Sequence, residues 1–400
     1  MSGLRLYFFH DRVAAAWAPF SDTRPVGELV TGIHTLRARA EAATGLPCLG
    51  HLAGEALAGF DEPGAAPGVR ADDVDVDARR VLLLGRVALR RTPDLAVETP
   101  TRLLLDGRCV GWSLPPGAPV PEEYLGAPED ADAGPSLAVE GSLLSGPWDL
   151  VAQNPDWLRH DMEGSPDSGG LGAEGAIRLG SGPVTLDDGA SVEAGVVLDT
   201  TGGPIHLGRN VRVEGPARLV GPLHVGRGSS ILGGVVASSS IGPVCKVRGE
   251  VADCVFLGWA NKAHDGHLGH AVVGRWVNLG AGTTNSDLKN NYGNVRVWTP
   301  DGEVDTGHMK VGCFLGDHAK TAIGTLINTG TVVGAGSNLF GGMPPRRVRP
   351  FAWGSAAGAP AFRLEDFLTV ADRAMARRGE AMTPGVRGVL ERLWTTDRGR

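Results

Sequence analysis

The stretch IHLGRNVRVEGPARLVGPLHVGRGSSI, residues 205–231, decides the fold. Its apolar residues Leu207, Val213, Leu219, Val225 and Ile231 stand six apart without a break. A helix repeats its apolar positions at about 3.6 residues and a half-buried strand at about 2, so neither fits. A period of six fits a solenoid whose coil is a triangle of short strands. The apolar residue points into the prism and a small residue turns the corner. The same rhythm holds at Leu186, Val192 and Leu198, and again at Ile241–Val247, Val273–Leu279 and Val333–Leu339. Residues 176–345 therefore predict a parallel β-helix of about nine coils, at roughly 18 residues per coil and fewer after insertions. Between Ser286 and Lys310 the rhythm fails. There Val295–Trp298, the turn Pro300-Asp301-Gly302 and Val304–Thr306 predict a hairpin within an inserted loop, 285–310.

Residues 1–165 read as a mixed α/β domain. Leu4–Phe9 predicts a first strand and Val81–Leu89 a buried one. Val26, Leu29, Val30, Ile33 and Leu36 recur at helical spacing behind Pro25 and predict a helix. Residues 61–72 and 113–136, rich in Gly, Ala, Pro and acids, read as loops, and a boundary falls near Gly164–Gly175. The tail, 346–400, reads as helical. Leu364, Phe367, Leu368 and Ala371 form one stripe and Val389, Leu390 and Leu393 another, a cap for the end of the solenoid.

Composition narrows the function. The 400 residues carry a net charge of −7, whereas a non-specific nucleic-acid binder is normally basic. No run of 18 apolar residues occurs, so no transmembrane helix is expected, and the N-terminus lacks a signal-peptide layout. The five cysteines are widely spaced with no C-x-x-C, which predicts a reduced, cytoplasmic protein without disulfides or structural zinc. All five lysines, Lys246, Lys262, Lys289, Lys310 and Lys320, fall in the solenoid, as do eight of ten asparagines from Asn261 to Asn338. Asparagine suits left-handed turns. The lysines, in a chain that otherwise uses arginine, point to ligand contacts.

The segments Thr23-Arg24-Pro25-Val26-Gly27-Glu28-Leu29, Asn261–His270, Trp276–Thr284 and Asn285–Tyr292 carry a resemblance. They are similar to the GlmU-like sugar nucleotidyltransferases, which join a nucleotidyltransferase domain to a left-handed β-helix acyltransferase. The resemblance is specific over 241–292. It implies acyl transfer from acetyl-CoA to an amino-sugar phosphate or nucleotide sugar, and nucleotidyl transfer from a nucleoside triphosphate with Mg2+ in an active first domain. It also implies a homotrimer. His264, before His267-Leu268-Gly269, matches the family's His-x-x-Tyr-Leu-Gly, whose His is the acyl-transfer base, so His267 stands where the family has Tyr. Asn278, and Asn291 with Tyr292 after a four-residue insertion, match residues that position amine and oxyanion or hold substrate. Arg248 takes the sugar-phosphate role, and Lys262 is the candidate substrate lysine. Lys310 and Lys320, with Arg346 and Arg347, would meet the phosphates of coenzyme A. The Gly-rich loop of nucleotidyltransferases is missing, and Arg24 is the nearest basic group. Asp22 and Asp106 are the carboxylates offered for magnesium.

The chemistry agrees with the residue types. A histidine near neutral pKa is a natural base for an amine, and Arg and Lys hold phosphate. Other uses stay open. His264, His267 and His270 could form a metal site, although the spacing suits neither one strand face nor a helical pair. Tyr292 and Trp298 can stack on a ring or pack the hairpin. The solenoid can also be a non-catalytic nucleotide-sugar sensor or trimeric scaffold.

Overall fold

The computed structural model describes residues 3–120, 134–169 and 172–398. The chain divides into two compact units, 1–29 with 34–146 and 381–400, and 30–33 with 147–380. This division differs from the sequence expectation of 1–165, 176–345 and 346–400, because segments are exchanged between the units.

The first unit is a six-stranded mixed sheet in the order Cys48–Leu52, Leu4–Phe9, Arg79–Leu84, Arg108–Leu114, Thr101–Leu105, Ser136–Ala138. Leu4–Phe9 runs parallel to both neighbours. The apolar run 81–89 is two strands, Arg79–Leu84 and Val87–Arg91, broken at Gly85-Arg86. The helix expected over 26–36 starts later. Val26–Glu28 is one 3-10 turn, and Gly32 adopts a left-handed φ of 66°. Thr35 then caps a helix, Leu36–Thr44, by accepting from Ala38 N at 3.0 Å. The cap, not the apolar spacing, sets the start. Of the predicted loop 113–136, residues 113–114 end a strand and 121–133 lie outside the described residues. The second tail helix, Pro384–Arg398, belongs to this unit rather than capping the solenoid, since Val389 packs with Leu57 and Phe60.

The second unit is the β-helix. One face stacks Val184–Leu186, Ile205–Leu207, Leu223–Val225 and six further strands in one parallel sheet. A second face runs from Ser191–Val192 to Asn338–Leu339, and a third carries Val197–Asp199, Ala217–Val220 and His267–Gly269. Coils repeat in register, as in Ile205↔Leu223 and Leu207↔Val225. The period-six residues Leu207, Val213, Leu219, Val225, Ile231, Val247, Leu279 and Leu339 are all buried in one core. Each such side chain contributes about 1.5–3 kcal/mol of transfer free energy. The hairpin of the insertion is Arg296–Thr299 paired with Gly302–Asp305.

One corner of the prism needs left-handed backbone, and bulky residues fill it. Trp259, Trp276 and His318 have φ of 52°, 63° and 61°, a strained conformation for such side chains. Their rings stack at 5.6 and 6.2 Å, and Phe367 of the helix Leu364–Ala376 meets His318 edge-on. The asparagines do other work: Asn261, Asn278 and Asn338 lie in an outward column on the second face with Lys246 and Lys320.

Candidate functional site

The third face gathers imidazole, carboxylate and guanidinium side chains. The strand His267–Gly269 pairs with the end of Lys246–Ala252, Glu250 opposite His267 and Val251 opposite Leu268. Alternation sends Val251 and Leu268 into the core and Glu250 and His267 outward. His267 Nδ1 stands 3.2 Å from a Glu250 carboxylate oxygen. Gly266 turns the preceding corner at φ 130°, and a Cβ there would lie 2.3 Å from Thr283 O. An open groove of about 420 Å³ follows this face, lined by Val235, Glu250, Asp265 and His267 with Gly234, Gly249 and Gly266. Arg248 leans over its edge, Nε 3.0 Å from Asp265 Oδ1 and Nη1 2.6 Å from Leu232 O. His264 is exposed at this corner, and its imidazole has no hydrogen-bond partner among the described residues.

The opposite corner is more elaborate. His270 has a left-handed φ of 49° and its Nδ1 lies 2.7 Å from Asp287 Oδ2. Its Nε2 is 3.7 Å from Asp253 Oδ2. The hydrogen bond from His270 holds the Asp287 carboxyl below its ordinary range, outweighing burial, whereas burial raises that of Asp253. Here the insertion leaves the coil. Buried Asn285 closes the gap, its Oδ1 accepting from Gly269 N at 2.8 Å and its Nδ2 donating to Gly269 O at 2.9 Å. The chain returns at Val311 and Gly312, whose N–H groups donate to Asp287 O and His270 O, each at 2.9 Å. A cavity of about 260 Å³ results, lined by Trp148, Val151, His270, His308, Lys310 and Val311 among others.

The residues singled out in the sequence are thus only partly together. Arg248, His264 and His267 share the third face. Lys310 lies on the rim of the cavity at its far end. Asn278 belongs to the second face, where its Oδ1 accepts from Asn261 Nδ2 at 2.9 Å. Asn291 and Tyr292 sit exposed on the inserted loop, Tyr292 with 69% of its surface accessible.

Two assignments, Lys262 and Arg24, are corrected, and Lys320 is placed apart from Lys310. Lys262 does not face substrate. It occupies an inward position after Val247 and is 1% exposed, and its Nζ donates to the carbonyls of Arg248 and His264. Burial lowers its pKa to about 8. Arg24 is equally sealed, with Nη1 2.7 Å from Glu62. Lys320 does not accompany Lys310; it is on the second face with Nζ 3.2 Å from His318 O, and burial lowers its pKa to about 8. Arg346 donates to Arg296 O, and Arg347 lies 4.0 Å over the Trp298 ring.

Where a Gly-rich loop would follow the first strand, the first unit has a short helix, Arg12–Ala15. Asp11 caps it at 2.8 Å and is held by Arg86 at 2.7 Å, both side chains buried. Asp106 occupies the tight turn after Thr101–Leu105 at φ 50°. Asp22 is half-buried in a turn, and among the described residues no group of three or more His, Cys, Asp or Glu side chains is placed to hold a metal ion.

His270, Asp287 and Asp253 were not singled out as a group from sequence. The available signal was the coil itself: His270 and Asp287 are 17 positions apart, one turn of the solenoid.

Residues 6–166 match the sugar nucleotidyl transferase family. The chain is 24% identical over 196 residues to a bifunctional sugar-1-phosphate nucleotidylyltransferase/acetyltransferase of Sulfurisphaera tokodaii, covering 49% of this chain and 44% of that protein. It is 28% identical over 232 residues to the bifunctional protein GlmU of Stenotrophomonas maltophilia, covering 53% of this chain and 48% of that protein. The chain thus spans less than half the length of these relatives. A hexapeptide transferase family protein from Anaplasma phagocytophilum aligns with 56% of this chain and 96% of its own, at 16% identity and a TM-score of 0.21. By sequence, then, the chain resembles the GlmU-type proteins, with a segment similar to the sugar nucleotidyl transferase family ahead of a β-helix of six-residue repeats.

Proposed function

We propose that the chain is a transferase of sugar metabolism whose β-helix moves an acyl group from acyl-CoA to the amine of a sugar phosphate or nucleotide sugar. The observation that carries this reading is the groove of the third face, with His267 in its lining and Arg248 paired to Asp265 at its edge. Acyl transfer to an amine needs a proton acceptor and a clamp for an anionic substrate, and these groups are of the right kind. The resemblance gives the proton to His264 and the phosphate to Arg248. Asn291 and Tyr292, on the exposed loop, are placed to reach a bound substrate only if that loop folds back. The same reading makes the working form a cytoplasmic homotrimer. Among the described residues no helix is long and apolar enough to cross a membrane.

The family match supports nucleotidyl transfer in the first unit. The buried Asp11–Arg86 pair, standing where the phosphate loop would be, favours a second reading in which that unit binds nucleotide sugars or serves as a scaffold without turnover.

The test is a mass-spectrometric screen of the purified chain with Mg2+, mixed nucleoside triphosphates, a panel of sugar and amino-sugar 1-phosphates, and acetyl-CoA. A new N-acetyl sugar is the expected product. A new nucleotide sugar would add activity in the first unit. A folded trimer yielding neither would overturn the acyl-transfer reading and favour the sensor or scaffold.

A further inference from the structure

Of the three imidazoles on or beside the third face, His264, His267 and His270, only His270 makes a hydrogen bond to a carboxylate among the described residues. We propose that His270, held by Asp287 as its positioning residue, takes the proton of the acyl acceptor, and that the acceptor amine sits in the cavity beside Lys310 and Trp148. The proposal rests on the acyl-transfer reading and alters the residue to which that reading gives the proton.

Three observations converge. First, His270 Nδ1 faces Asp287 Oδ2 at 2.7 Å. An Nδ1–H donated to a carboxylate fixes the tautomer that leaves Nε2 as acceptor, and it stabilises the imidazolium once formed. Nε2 is 3.7 Å from Asp253, too far for a hydrogen bond, and it makes no other among the described residues, while the ring itself lines the cavity. His264 has no orienting partner. Second, the fold goes to some length to assemble this corner. His270 keeps a left-handed φ of 49°, which is uncommon outside glycine. At Gly269 a Cβ would lie 2.5 Å from Asp287 Oδ2 and 2.7 Å from His267 Nε2, so a larger residue would push the polar side chains apart. Gly312 approaches so closely that a Cβ there would be 2.0 Å from Gly269 O. Third, the cavity exists because the insertion leaves and rejoins the coil at this pair, bringing His308, Lys310 and Val311 over it. The residues serving this corner therefore come from two coils, one helix and the insertion.

The groups suit an amino sugar carrying an anion. Lys310, in the cavity lining with His270, meets a phosphate. After the ammonium loses one proton to solvent, the amine nitrogen attacks the thioester carbonyl carbon. The C–N bond forms, the C–S bond breaks, and coenzyme A leaves as thiolate. The remaining proton passes from nitrogen to His270 Nε2 and from there to the thiolate or to water.

The test uses the full chain, acetyl-CoA and the best acceptor from the screen, following release of free thiol. His270→Ala and His270→Gln are expected to lower kcat by about 10²–10⁴ with KM within a few-fold, the usual worth of a general base. Added imidazole should restore part of the activity of His270→Ala. Asp287→Asn should lower kcat, displace the limb of its pH profile that reports the base, and leave KM in place, with Asp287→Glu recovering part of the loss. Folding is checked by circular dichroism. A wild-type chain that transfers no acyl group to any acceptor sinks the acyl-transfer reading and this proposal with it. An active wild type with either folded His270 variant within about threefold of its kcat overturns only the proposal. If both His270 variants fail to fold, an Asp287→Asn chain with unchanged kcat and pH profile overturns it, and the predicted changes uphold it.

Discussion

The two units each gather histidine, carboxylate and arginine side chains, and put them to opposite use. In the first unit Glu28 accepts from Arg37 at 2.6 Å and from Ala66 N at 3.0 Å, and lies 2.8 Å from His51. His10 Nε2 accepts from Val26 N, and Asp11 holds Arg86. The groups in this cluster are buried or nearly so, and their partners are internal. At the corner after the third face of the solenoid, His270 and Lys310 have similar chemistry but open onto a cavity, with Asp287 hydrogen-bonded behind His270. Residue types therefore do not separate a scaffold from a site. What separates them is whether a polar group has any valence left for a ligand.

The largest break in the sealed cluster comes from Asp11→Ala. It leaves the Arg86 guanidinium buried without its carboxylate, which costs about 3–5 kcal/mol. Chemical denaturation should show the first unit unfolding earlier while the β-helix transition stays put. On the open side, Gly312→Ala must move the Gly269 carbonyl. It is expected to cost about 1–3 kcal/mol, and to lower acyl transfer as His270 shifts. Calorimetry and thiol release read the two effects separately.

Acid sharpens the contrast further. Burial, then the charge of His51, pushes the His10 imidazole from 6.5 down to about 3. The folded state therefore binds fewer protons than the unfolded one in that window, and stability rises with pH across it. This contribution is full above pH 6.5 and is lost as pH falls toward 3. For Glu28, burial would raise the carboxyl, but the hydrogen bond and charge of His51, with Arg37, lower it to about 2. Its contribution is present above 4.5 and lost as pH falls toward 2. Melting curves from pH 7 to 3 should show the first unit weakening, and His10→Asn should flatten the upper part of that fall.

The smallest effect is expected from Lys262→Met. The new side chain fills the same inward position, and two backbone carbonyls lose a donor, so stability should fall by about 1–2 kcal/mol. KM for the acceptor should hold within about twofold, since the ammonium does not face the groove. A tenfold rise in KM would return Lys262 to the substrate.

Much of the solenoid is legible in the sequence because a β-helix is nearly one-dimensional. Each of Leu207, Val213, Leu219, Val225 and Ile231 meets the same environment one side later, so the burial pattern is written as a period. The hairpin is legible from its turn residues. Lys262 was not, because the coil before it is short. Val247 pairs with Lys262 after fifteen positions, so the count of six fails where the lysine turns inward. Its chemistry drew attention outward while its register sent it in. Arg24 misled for a similar reason, since the Glu62 that neutralises it is 38 positions away.

What the sequence determined by itself was the repeat, the buried residues that follow from it, the interruption at 286–310 and the resemblance over 241–292. Only the tertiary structure decided which polar groups meet. His270 and Asp287 become neighbours because one coil stacks on the next, and His270 faces a cavity because the insertion rejoins the coil beside it. Hydrophobic burial is a property of position along a repeat and can be read from spacing. Hydrogen bonds and salt bridges depend on a few ångströms between residues distant in sequence, and only the folded chain sets those distances.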